Sequence, residues 1–227
     1  MIKANDGKIL EIKRSDQYRT VDELVTKSQP TSVYFTFLVL SSFIVASGLL
    51  LDNVAVVIGG MLVTPVLTPV LMVALGISIG EFRTIKRVAI LMLESFLIII
   101  LGSLFLGFLF QSPQQVVIAD DTLRVAVLYF IIAVSAGVAA TFAWGRREMA
   151  DVLPGIAIAV SLVPPLSLIG VSLSYLNLVM MRYSFIVFLL NLLGILAGSV
   201  VAFSLMKFHK TQQEVKKEVR QVERRAN

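Results

Sequence analysis

Cysteine is absent from this chain of 227 residues, and histidine occurs once, at His209. Disulfides, thiolate chemistry and cysteine-held metals are therefore excluded, and a lone histidine in a charged tail leaves no His-based metal site. Charge is scarce too, at 15% of residues, where a soluble domain carries about a quarter. No Gly-rich loop closed by Lys and Ser or Thr is present, no HExxH, and no Ser/His/Asp set within the apolar stretches. These absences argue against an enzyme, against ATP-driven transport by this chain alone, and against a bound cofactor. The opening MIKANDGKILEIKRSDQ lacks an apolar core followed by a small-residue cleavage site, so no signal peptide is expected.

What the chain has instead is apolar length. Apolar residues make up 57% of it, in six runs near the roughly 20 residues that a hydrocarbon core requires. The runs cover residues 31–51, 54–80, 88–110, 122–143, 149–173 and 178–206. An all-α polytopic membrane protein of six transmembrane helices is predicted, with a membrane domain over 31–206. The link Leu51-Asp52-Asn53-Val54 is so short that the first two spans form a hairpin.

Lysine and arginine set the orientation. Six lie before residue 31 and seven after Met206. Arg83, Lys86 and Arg87 follow the second span, and Arg146 and Arg147 follow the fourth. The alternate loops hold none, with Arg124 and Arg182 just inside neighbouring spans. The positive-inside rule then puts both termini in the cytoplasm of a prokaryotic inner membrane. Because topology accounts for the basic residues, nucleic-acid binding is not expected. The basic rim suits anionic lipid headgroups, or attraction of an anionic substrate.

Residues 1–30 form a polar lead-in. Thr20-Val-Asp-Glu23 fits a capping box, and Val21, Leu24 and Val25 give a short apolar stripe. A short amphipathic helix and a plain lead-in to the first span both fit. The tail 207–227 is basic, with Val215, Val219 and Val222 at helical spacing. A solvated helix drawn to headgroups and a short oligomer seam both fit.

Three spans precede residues 111–121 and three follow, so the second half must lie inverted relative to the first. Sliding the chain by 95 residues sets Gly60 on Gly155, Leu67 on Leu162, Pro69 on Pro164 and Leu71 on Leu166. An inverted three-plus-three repeat is predicted, over 31–110 and 122–206, with the second and fifth helices broken. The breaks follow from Pro65 and Pro69 in one and Pro164 and Pro165 in the other. Proline lacks an amide donor and crowds the carbonyl one turn back, so the helix kinks or unwinds. The carbonyls expected to be freed are those of Met61, Pro65, Val160 and Ser161. In a bilayer they need protein, water or an ion as partner.

Thr64, Thr68, Ser161 and Ser167 can add hydroxyl oxygens beside these breaks, and Gly59, Gly60 and Gly155 can admit a second backbone. The functional reading is a site of oxygen ligands and half-helix ends for a small solute or ion. The plainer one is that the hydroxyls patch kinked helices. Glu94 is the only acid well inside a span, roughly 9 Å along the third. It is either a proton or cation relay or a partner for a nearby cation. Asn191, near the centre of the sixth span, either lines a cavity or joins helices by a hydrogen bond. Asp52, Glu81, Asp151 and the two flanking arginines read as span boundaries.

The strings VVIGGMLVTPVLTPVL and LPGIAIAVSLVPPL resemble, in that order, the two signature blocks of the domain of unknown function 389 family. The likeness covers roughly residues 21–206, with Gly60 standing where alanine is more usual. It implies a bacterial or archaeal membrane domain and supplies no substrate. The expected activity is passage of a small solute or ion by a transporter or channel. A non-transporting scaffold, sensor or lipid-binding protein is the alternative. The shortage of buried acids favours an uncharged solute, a channel or an oligomeric pore. Small-residue pairs such as Gly194 and Gly198 suit contacts within a homo-oligomer.

Overall fold

A computed structural model describes residues 12, 14–110, 122–160, 162–208 and 217. Ser161, His209 and the three valines of the tail lie outside the described residues. Nine α-helices occur among those described: α1 (Arg14–Lys27), α2 (Ser32–Leu50), α3 (Val54–Val63), α4 (Leu67–Ile79), α5 (Phe82–Leu109), α6 (Thr122–Gly145), α7 (Leu153–Val160), α8 (Val163–Ser174) and α9 (Leu178–Leu205). A 3-10 turn, Arg147–Val152, leads into α7. No strand occurs among the described residues.

This is the all-α architecture of a membrane protein. Helices α2, α5, α6 and α9 are each long and apolar enough to cross a bilayer, as is the run Leu153–Ser174. The α3–α4 pair passes the same test as one span bent by 54°, which brings the number to six. The two proline-rich spans therefore differ in degree. The first is sharply bent, and in the second α7 ends at Val160 and α8 begins at Val163.

Local chemistry sets the element ends. Thr31, Asn53 and Asn177 cap α2, α3 and α9, each accepting from the amide three residues on, at 3.1, 3.2 and 3.0 Å. Between α4 and α5 the chain reverses at Gly80 (φ 65°). There the Glu81 amide donates to the Gly76 carbonyl and that of Gly80 to Ile77. The α8–α9 turn repeats this pattern, with Asn177 donating to Ser172 and Leu176 to Leu173. Both are Schellman turns, which satisfy carbonyls that the helix end leaves open.

Small residues let the helices close on one another. α2 packs on α3 and α5, α6 on α7 and α9, α5 on α8, and α4 on α9. Gly60 faces Val45 of α2, Gly102 faces Ser42, and Gly170 lies against the α5 backbone near Ile100. Gly194 and Gly198 lie against Ala133 and Val134 of α6. The oligomer contact expected at those two glycines is thus corrected to a contact within the chain.

α1 lies against the end of the bundle where α4, α6 and α9 finish. Its buried face is Gln17, Thr20, Val21, Leu24 and Val25. Gln17 donates to the Met206 carbonyl (3.3 Å), and Lys27 lies 5.1 Å from the centre of the Trp144 ring. Thr20 is mid-helix rather than a cap. Its hydroxyl reaches the carbonyls of Asp16 (2.7 Å) and Trp144 (3.3 Å). The capping box read at Thr20 does not form, because the helix begins at Arg14 and Thr20 already has these carbonyl partners.

Candidate functional site

The two interruptions meet. A cavity of about 30 Å³ lies between them, lined by Met61, Thr64, Val66 and Leu67 from the first and Ala157, Val160, Leu162 and Val163 from the second. That volume admits one or two water-sized species, since a single water needs about 10–15 Å³ on this measure. Its wall belongs to the last turns of α3 and α7 and the first residues of α4 and α8. Two carbonyl ends and two amide ends of half-helices therefore converge on one small space.

The lining residues form four pairs: Met61 with Ala157, Thr64 with Val160, Val66 with Leu162, and Leu67 with Val163. Each pair is 96 residues apart. The same interval separates α5 from α9 at both ends, their caps Glu81 and Asn177, and the turn residues Gly80 and Leu176. The structural register is thus one residue longer than the 95 read from the sequence, and it sets Pro69 on Pro165. The shorter register matched residue types, whereas the longer one matches helix ends and cavity walls.

The prolines act as helix starters. Pro69 lies in the first turn of α4, and Pro164 and Pro165 lie in the first turn of α8. A first-turn amide has no partner within its helix, so its loss there costs little. Pro65 sits inside the break itself. The carbonyl of Met61, expected to be free, accepts from the Thr64 amide at 3.3 Å. The Thr64 hydroxyl donates to the Gly60 carbonyl at 3.0 Å. Thr64 thus patches the end of α3, and its oxygen keeps acceptor capacity on the cavity side. Among the described residues it supplies the one polar side chain of the lining.

Of the residues expected at a site, Met61, Thr64 and Val160 line the cavity. Thr68, Pro69 and Pro165 are buried in adjoining first turns. Gly60 is given over to α2, while Gly59 and Gly155 have nothing within 4 Å of a built Cβ. The close backbone approach expected at those two is corrected, since both face open space. Asn191 is buried on α9 and is not part of the cavity wall. Its counterpart 96 residues earlier is Ser95, whose hydroxyl bonds Tyr34 across to α2 at 2.8 Å.

Glu94 lies elsewhere. It lines a wider cleft of about 430 Å³ together with Ser28, Pro30, Arg83, Lys86, Arg87, Ile90 and Leu91. Val66, Leu67, Ala157, Leu162 and Val163 were not singled out as site residues in the sequence because they are ordinary apolar residues. Only the exact internal register picks them out.

Comparison with known proteins places this chain in a family. A match to the family described as Domain of unknown function (DUF389) covers residues 61–209. An uncharacterized protein of the archaeon Methanocaldococcus jannaschii is 25% identical over 195 residues, or 84% of this chain. The chain spans 58% of the length of that relative. No solved structure matches.

Proposed function

This chain belongs to the family described as Domain of unknown function (DUF389), and we propose that it is a channel or transporter passing a small solute or ion between its two broken helices. The observation that carries this reading is the cavity walled by four residue pairs 96 apart. A wall drawn equally from matched positions is what an inverted repeat produces on its pseudo-twofold axis. Three spans per half make the relation an inversion. In transporters built this way the binding site lies near mid-bilayer, between discontinuous helices of the two repeats.

Among the described residues the lining carries no charged side chain, so the passing species is taken to be small and either uncharged or singly charged. Basic residues gather at the end that carries α1, Arg83, Arg87 and Arg146, and that end is cytoplasmic in this reading. The membrane is then a prokaryotic cytoplasmic membrane. No covalent chemistry is part of the proposed activity.

The test is flux into proteoliposomes of the purified protein, read for water, urea, glycerol, sodium and potassium against protein-free vesicles. At least one should pass faster. Ala157→Trp, which fills the cavity, should cut that flux tenfold or more while the protein still purifies as a folded species. Wild-type flux equal to that of empty vesicles for the whole panel would hand the lead to the scaffold, sensor or lipid-binding reading.

A further inference from the structure

The wider cleft is independent of the crossing and stands beside the first turns of α5. We propose that it binds the phosphate of an anionic glycerophospholipid, one molecule per chain, with the acyl chains running down the outer face of α5. Three cations line it, Arg83, Lys86 and Arg87, against a single carboxylate, Glu94. Three positive charges less one negative leave a net +2, which calls for an anion. Among the described residues, Arg83 and Lys86 have no carboxylate partner. Arg87 donates to the Gln29 side chain, which fixes the guanidinium at the edge of the cleft.

A second observation points to a ligand. Ser28 also lines the cleft and is only 5% exposed, yet its hydroxyl has no hydrogen-bond partner. A buried hydroxyl left unpaired is costly, and native structures seldom keep one. A phosphate oxygen in the cleft accepts from it and from the arginine and lysine donors at once.

The surface below the cleft selects a lipid over free phosphate. Ile90, Leu93, Leu97, Leu101, Phe105 and Phe108 are each 49–67% exposed and follow helical spacing along α5. From residue 90 to 108 the stripe is about 27 Å long at 1.5 Å per residue, close to the ~30 Å of a hydrocarbon core. It begins at Ile90, inside the cleft itself. The cations therefore stand at headgroup depth, directly above a surface suited to acyl chains. The cleft volume lies within the range of small-ligand sites.

Native mass spectrometry of the full chain in detergent, titrated with phosphatidylglycerol or phosphatidylcholine, tests the assignment without reference to flux. One phosphatidylglycerol should bind in preference to phosphatidylcholine, and an excess of inorganic phosphate should not displace it. Arg83→Gln with Lys86→Gln should weaken binding roughly tenfold or more, since two charge-assisted contacts are lost. Ser28→Ala should weaken it measurably while leaving the fold intact. Arg182→Gln, far along the chain on α9, serves as control and should bind as the wild type does. Equal binding of the two lipids, equal losses in the control and the double variant, or displacement by phosphate would each overturn the proposal. Wild-type affinity in Ser28→Ala would do the same.

Discussion

Leu176 adopts a left-handed backbone (φ 54°) at the position that Gly80 fills in the equivalent turn (φ 65°). A leucine there costs about 1–2 kcal/mol of steric strain that glycine avoids. Its side chain is 84% exposed, so little packing offsets the cost. Leu176→Asn should therefore stabilise the protein by up to about 1 kcal/mol, because asparagine tolerates this conformation. Gly80→Ala should destabilise it by a similar amount. Thermal unfolding of both variants in detergent checks the pair, and a lower midpoint for Leu176→Asn would contradict the strain. Other glycines matter for space rather than φ. A Cβ on Gly137 would come within 2.9 Å of the Ile195 Cα, so α6 and α9 meet only because that side chain is missing.

At the level of helices, the interruption between α3 and α4 was legible from Pro65 and Pro69, and its 54° bend bears the reading out. The fifth span was legible as carrying prolines where α8 begins. Pro164 and Pro165 stand in the first turn of α8, whereas Pro65 stands in the gap itself. Removing Pro65 and Pro69 together restores two amide donors, so α3 and α4 can join as one straight span. The double alanine variant should stay folded and lose most of any solute flux. Unchanged flux in proteoliposomes would show that the bend is not needed. The basic rim was legible, but the cleft that Ser28 shares with it was not, for a different reason. Ser28 is 55 residues from Arg83, and only the docking of the α1–α2 turn beside α5 brings them together.

For the molecule as a whole, five long apolar spans and a bent sixth were readable from hydropathy. The 96-residue interval between matching helix ends was not. The matched walls pair methionine with alanine and threonine with valine, so the likeness lies in backbone geometry rather than in side-chain identity. That explains why Thr64 was found and Ala157 was missed. Glycine and proline enforce backbone shape and so leave a trace in the sequence, whereas apolar wall residues are interchangeable. It also explains why Glu94 and Asn191 drew attention as rare polar residues and yet lie away from the crossing.

The absence of native cysteine permits one direct measurement on the crossing. With Thr64→Cys and Val160→Cys in the same chain, a short bifunctional thiol reagent with a cleavable linker is applied to proteoliposomes while solute flux is followed. If the two breaks enclose the passage, the pair cross-links within one chain, flux stops, and cleavage of the linker restores it. Cross-linking that leaves flux at its starting rate would place the passage elsewhere, and failure to cross-link would separate the two breaks.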